Sequence, residues 1–150
     1  MTNNLTTDPA TVLDRLCEAT AAHDLEGVVA CFASDYRNET PAHPERGFVG
    51  QAQVRTNWAR IFTMVPDITP AVLRFAVDGD VVWSEWEHRG TRTDGSRHLM
   101  RGVIIFGVDS EVISWARFYM EPVEESAEDA NAFRERLLAS NDQAASASRD

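Results

Sequence analysis

Glu85 and Glu87 stand two residues apart in the run Val81-Val82-Trp83-Ser84-Glu85-Trp86-Glu87-His88. On a strand, that spacing puts both carboxylates on one face. Two acids sharing a low-dielectric site do not ionise equally. With Arg117 beside them, one would be paired and ionised, while the other would hold its proton to higher pH and act as a general acid/base near neutrality. Arg117 has a second possible use, since its planar fork can hold a carboxylate or enolate oxygen of a ligand. The same three residues would also satisfy one another as a purely structural ion-pair network. If Arg117 points inward from its strand, Trp115 and Tyr119 do too, and Ala116, Phe118 and Met120 take the opposite face. All of this depends on register, because a slip of one residue would turn the acids to solvent and bring Trp86 inward.

A second set of polar groups precedes these in the chain. Tyr36-Arg37-Asn38 could position a water or a substrate oxygen, and in a segment of turn-forming residues Asn38 could equally cap backbone groups. His43, between Ala42 and Pro44, reads as part of a lid, and His98 with Met100 would share the pocket if their face is the concave one. Trp58, Trp83, Trp115 and Tyr119 supply aromatic walls, which suit an apolar, cyclic ligand with a few polar handles. His23 and His88 read as surface residues.

These side chains need elements to carry them. Asp8-Pro9 opens a first helix with Val12, Leu13, Leu16, Cys17 and Thr20 at helical spacing. Asp24 caps a second, with Leu25, Val28, Val29 and Phe32 along it and Glu26 in its first turn. A polar loop from Ser34 to Gly50 follows, then a helix from Gln51 to Met64 that Pro66 stops. From Ile68 the period changes to two, predicting strands at 70–77, 80–89, 97–107 and 111–120 with tight turns at Asp78-Gly79 and Asp94-Gly95. The fold class expected is therefore α+β, with N-terminal helices packed in a curved antiparallel sheet that forms a cone around a central pocket. Residues 1–8 read as a flexible N-terminus and 9–122 as the domain. Residues 123–150 read as an amphipathic segment (Ala130, Phe133, Leu137) and a tail that is disordered from about residue 140.

Composition narrows the function. At 150 residues the chain fits one domain, and its formal charge of −10 repels phosphate backbones and anionic membranes. Neither nucleic acid nor a membrane is an expected partner. The opening residues lack the cationic and apolar regions of a secretory signal, so the cytoplasm is the expected location. Cys17 and Cys31 fall on apolar helical stripes and read as buried, reduced thiols. No C-x-x-C, H-E-x-x-H, P-loop or G-x-G-x-x-G motif occurs, so neither a metal nor a cofactor is expected.

The order helix, helix, loop, helix, antiparallel meander resembles the nuclear-transport-factor-2-like superfamily, which includes SnoaL-like, limonene-epoxide-hydrolase-like and ketosteroid-isomerase-like proteins. The likeness rests on Asp24-Leu25-Glu26-Gly27-Val28-Val29-Ala30-Cys31-Phe32-Ala33, similar to the family's second helix, and Val112-Ile113-Ser114-Trp115-Ala116-Arg117-Phe118-Tyr119-Met120-Glu121, similar to its last strand. It spans residues 10–122. By that resemblance the isomerase acid, base and tyrosine positions fall at Gly102, Thr40 and Leu16, which disfavours isomerase chemistry. The epoxide-hydrolase Tyr-x-Asn pair falls on Tyr36 and Asn38, and its acid and arginine positions fall, exchanged, on Glu85, Glu87 and Arg117. The resemblance implies a cofactor-independent enzyme of hydrolase, isomerase, dehydratase or cyclase type acting on a small hydrophobic molecule. It also implies a homodimer through the face carrying Ala116, Phe118 and Met120. A non-catalytic binding or dimerisation module is the alternative.

Overall fold

The computed structural model describes residues 7–147. Residues 1–6 of the expected flexible N-terminus and the last three of the expected tail lie outside the described residues. Three helices come first: α1 (Thr11–Ala21), α2 (Leu25–Ala30) and, after two strands, α3 (Gln51–Met64). Asp8 accepts from the Ala10 amide at 2.9 Å just before α1, and Asp24 accepts from the Gly27 amide at 3.0 Å to cap α2. Each carboxylate satisfies an amide that the first helical turn leaves without a partner.

The strands are β1 (Phe32–Glu39), β2 (Phe48–Val49), β3 (Thr69–Asp78), β4 (Val81–Thr91), β5 (Arg97–Asp109) and β6 (Val112–Pro122). They form one six-stranded sheet in the order β2-β1-β6-β5-β4-β3. The four long strands lie within two residues of the expected boundaries at every end. Gly79 at φ +62° and Gly95 at φ +85° supply the left-handed positions that the first two hairpin turns require.

Three expectations are corrected. The segment from Phe32 to Glu39 is a strand, where Phe32 was expected on the second helix and a loop from Ser34 onward, and Phe32, Tyr36 and Asn38 are buried. It pairs in parallel with β6, Asn38 facing Ala116 and Glu39 facing Arg117, so the sheet is not purely antiparallel. Burial explains the strand: Tyr36 and Asn38 share an inward face while Arg37 points out. A third difference lies at the C-terminal end, where α4 (Ala130–Ala147) continues through residues expected to be disordered and has no buried residue. Alanine-rich sequence favours that helix locally.

The core lies between the helices and the inner face of the sheet. It holds Val12, Leu13 and Leu16 of α1, Val28 of α2, Phe32 and Tyr36 of β1, and Trp86, Ile104 and Phe106 of the meander. Trp86 is only 1% exposed. Its indole N–H donates to Ser84 Oγ at 2.7 Å, and that hydroxyl donates to the Ile104 carbonyl at 2.7 Å. The buried polar atoms of this stack are thus satisfied, as burial demands. Cys31 is buried and Cys17 half-buried, and both are free thiols. Burial pushes the Cys17 thiol up to about 11, with Asp14 adding to the effect. Among the described residues, no helix is long and apolar enough to cross a membrane.

Candidate functional site

Register decides which side chains meet inside the cone. Across β4, β5 and β6, Ser84 faces Ile104, which faces Phe118, while Trp86 faces Gly102, which faces Met120. These residues line or back the concave face, and their chain neighbours occupy the other. Gly102, at φ +154°, lies so close to β6 that an added Cβ would sit 2.2 Å from the Tyr119 carbonyl oxygen. A side chain there would push the two strands apart, so this glycine lets the long sheet bend around the helices.

The concave face and α3 enclose a cavity of about 530 Å³. That is room for a drug-sized or smaller molecule. Its floor and walls are aromatic and aliphatic: Phe32, Val54, Trp58, Trp86, Phe106 and Phe118. The polar lining comprises Thr20, Tyr36, Asn38, Thr40, Asn57, His88 and His98, with Arg46 and Arg92. Among the described residues no carboxylate lines it.

Tyr36 donates its hydroxyl to Asn38 Oδ1 at 3.0 Å, and the Asn38 amide nitrogen reaches Thr40 Oγ1 at 3.4 Å. Burial raises the Tyr36 pKa, so the phenol stays protonated. The pair therefore presents a phenolic lone pair beside an amide N–H, a set able to hold a water or an alcohol by donating to it and accepting from it. His88 lies between two indoles, with ring centroids 5.8 Å from Trp86 and 6.1 Å from Trp58. Burial in that apolar setting, and secondly the neighbouring His98, lower its pKa to about 4. Burial, and secondly the Arg92 charge, lower His98 as well. The Nδ1 of His98 is buried without a hydrogen-bond partner. Both imidazoles are neutral at pH 7. A neutral imidazole can donate an N–H to developing negative charge without the cost of a buried cation, and the lowered pKa makes any imidazolium formed there a strong acid that returns its proton readily.

Of the residues singled out from sequence, Tyr36, Asn38, Trp58, His98 and Met100 line this cavity, as do Leu16 and Thr40. Glu85, Glu87, Arg117, Trp83, Trp115, Tyr119 and His43 do not. The slip of one residue has occurred: Glu85, Glu87 and Arg117 project from the outer face. There they pair with neighbours on the same face, along or across the strands, rather than with one another. Arg74 meets Glu85 at 2.9 Å, Arg117 meets Glu39 at 3.2 Å, and Glu87 is held between Arg89 and Arg101, the latter at 2.7 Å. The Glu87 carboxyl is covered by these guanidinium groups, and hydrogen bonds from Arg89 and then Arg101 hold its pKa down at about 2. The expected raised acid is thus a strongly ionised one. Trp115 lies over Gly107 on the outer face, where any Cβ on that glycine would strike the indole. Trp83 and Tyr119 are 50% and 41% exposed on the same face. His43 contacts Glu121 at 2.8 Å outside the cavity.

His88, read as a surface residue, is the main omission, together with Trp86, Arg46 and Arg92. A plain polar-out alternation would have found His88, since it follows Trp86 by two and shares its face.

A cone of curved sheet around an apolar cavity with a few polar groups defines a nuclear-transport-factor-2-like fold. The chain belongs to the SnoaL-like domain family, whose model matches residues 13–116. A search of curated protein sequences finds no match. Among solved structures, IdmH of Streptomyces antibioticus, a candidate polyketide cyclase, is similar with a TM-score of 0.66 at 21% identity, over 77% of this chain and 93% of that one. An epoxide hydrolase from M. tuberculosis, like the limonene type, has a TM-score of 0.65 at 19% identity over 75% and 82%. A third structure, of a Mycobacterium tuberculosis protein in complex with estradiol-17beta-hemisuccinate, has a TM-score of 0.65 at 20% identity over 75% and 94%. At these identities the likeness is one of fold.

Proposed function

We propose that the protein is an enzyme acting on a hydrophobic, cyclic small molecule, of hydrolase, isomerase, dehydratase or cyclase type, and that its proton-transfer groups are His88 and His98. Tyr36 and Asn38 position water or a substrate oxygen, while Trp58, Met100 and the other apolar walls exclude bulk water. The observation that carries this reading is that two neutral histidines share one aromatic-walled cavity with a hydrogen-bonded Tyr-Asn pair. The epoxide hydrolase and the candidate cyclase among the fold neighbours support it, as does the estradiol derivative bound by the third. The roles first assigned to Glu85, Glu87 and Arg117 do not carry over, because their side chains leave the cavity.

The test is turnover of a panel of cyclic epoxides and polycyclic ketones, followed by mass spectrometry, with His88→Gln, His98→Gln and Tyr36→Phe beside Glu87→Gln. A positioned general acid/base contributes about 10²–10⁴-fold, so kcat should fall by at least that lower bound in a histidine variant. Equal turnover in both histidine variants would end the assignment. One observation favours a second reading, the non-catalytic binding module: among the described residues no carboxylate lines the cavity. Ligand retained through purification, with no conversion across the panel, would select it.

We also propose a homodimer, through the outer rather than the expected set of side chains. Ala116, Phe118 and Met120 face the helices, whereas Trp83, Val103 and Tyr119 are exposed on the outer face among ion pairs. An apolar centre with a charged rim suits association. Sedimentation velocity at micromolar concentration should show a dimer that Trp83→Glu dissociates, and a monomeric wild type would refute it.

A further inference from the structure

The charges around the cavity oppose those of the whole chain. With 24 acids against 14 basic residues the protein is strongly anionic, yet the only formally charged side chains lining the cavity, among the described residues, are Arg46 and Arg92. Seven other arginines form ion pairs with carboxylates: Arg55, Arg74, Arg89, Arg97, Arg101, Arg117 and Arg136. Arg46 and Arg92 form none. In a chain with acids in excess, two arginines at the same cavity without a carboxylate in ion-pair contact leave a local positive field, offset only in part by Asp94 near Arg92.

Their placement gives the cavity a polarity. Ile104 and Phe106 on the floor are 2% and 0% exposed, while Arg46 is exposed on the short turn Pro44–Arg46 and Arg92 is half-buried where β4 turns toward β5. Arg92 uses Nη1 to bond Ser96 Oγ and the Arg97 carbonyl, which fixes the side chain and leaves Nε and Nη2 without a partner. Asp94 in the same turn feels the Arg92 charge but bonds Ser96 instead. His98, two residues into the neighbouring region of β5, adds the buried unpartnered Nδ1. Orphaned polar atoms of this kind call for a partner from outside the protein.

We propose that the ligand is an amphipathic anion: an apolar cyclic body between Trp58 and Trp86, with a carboxylate or enolate oxygen at the Arg92, Arg46 and His98 end. The inference deepens the proposed function by naming the ligand's charge, and it rests on that reading only for the choice of cavity.

Equilibrium binding tests it without any turnover. The probes are 1-pyrenebutyrate and its uncharged amide, 1-pyrenebutyramide, followed by energy transfer from tryptophan at pH 7.5 and low salt. Charge-assisted hydrogen bonds predict that the acid binds about tenfold tighter or more, and that the gap narrows in about 0.5 M salt. Arg92→Gln and Arg46→Gln should each weaken the acid several-fold, and the double variant should bind acid and amide alike. Unchanged amide affinity shows in the same titration that the variants are folded. Equal or tighter binding of the amide to wild type, a preference that survives in the double variant, or failure of both probes to bind would overturn the proposal. A protein that turns nothing over yet prefers the acid would sink the enzymatic reading and leave this one standing.

Discussion

His88 offers the most direct measurement of what the cavity does to a charge. Its ring is tilted against Trp58 and edge-on to Trp86, and its pKa is lowered to about 4, against about 6.5 in an unfolded chain. Above pH 6.5 the imidazole is neutral in both states and this stability is fully present. As pH falls below 6.5 the unfolded chain binds a proton that the folded one refuses until about pH 4. Stability therefore declines through that window. The full difference corresponds to about 3 kcal/mol, of which about 2 to 3 kcal/mol is lost between pH 7.5 and 4.5. The depressed carboxyls of Glu87, Asp67, Asp94 and Glu128 act at the acid end, their contribution being lost as pH falls below about 4.5, so the two windows separate. His98 adds a slope of the same sign, so the perturbation must isolate His88. His88→Phe keeps an aromatic ring between the indoles and removes the titration. Urea denaturation at half-unit pH steps should show the variant's stability flatter than wild type by about 2 to 3 kcal/mol over that range. Parallel profiles, or a His88 ring proton that titrates in the folded protein at pH 6.5 or above, would refute the burial argument.

Other substitutions separate the two faces of the sheet. Trp86→Ala empties a fully buried site and strands its partner Ser84, so chemical denaturation should register a loss of about 3–5 kcal/mol. Tyr36→Phe leaves Asn38 Oδ1 without its donor and should cost about 1–2 kcal/mol by the same assay, with the fold intact by circular dichroism. Gly102→Ala should cost about 2 kcal/mol or more, because the new Cβ meets the β6 backbone at a positive φ. Glu87→Gln should lower stability by releasing Arg89 and Arg101, yet change pyrenebutyrate affinity less than twofold, since the side chain never enters the cavity.

Elements were legible in the sequence where local chemistry alone decides them. Asp24 as a cap, Pro66 as a stop, and glycines at the hairpin turns each fix a boundary through a backbone requirement that no distant contact overrides. The strand from Phe32 to Glu39 was not legible, because what makes it a strand is the edge of β6, which lies some eighty residues away in the chain. Ser34, Asp35 and Asn38 read locally as turn formers, and tertiary pairing prevailed over that preference. Tyr36 and Asn38 nevertheless emerged as site residues, since their two-residue spacing presents one face whichever backbone carries them.

Strand parity was the step at which the site went astray, and the cause is physical. On β4, residues 83, 85, 87 and 89 are Trp, Glu, Glu and Arg, whereas 82, 84, 86, 88 and 90 are Val, Ser, Trp, His and Gly. Only the second set can enter a core without bringing unpaired charge. Placing the acids inward demanded that a catalytic gain offset the desolvation of two carboxylates and Arg117, a cost of several kcal/mol per ion. The folded chain avoids it by giving each of those charges a partner on the outer face: Arg74 for Glu85, Arg101 across the strands and Arg89 along the same strand for Glu87, and Glu39 for Arg117. The cavity is left with imidazoles, a phenol, amides and threonine hydroxyls, none of which carries charge at pH 7, and Arg46 and Arg92 stand at its outer end. The proposed function therefore predicts chemistry at oxygen atoms that gain electron density, stabilised by neutral donors and peripheral cations in a cavity that, among the described residues, no carboxylate lines.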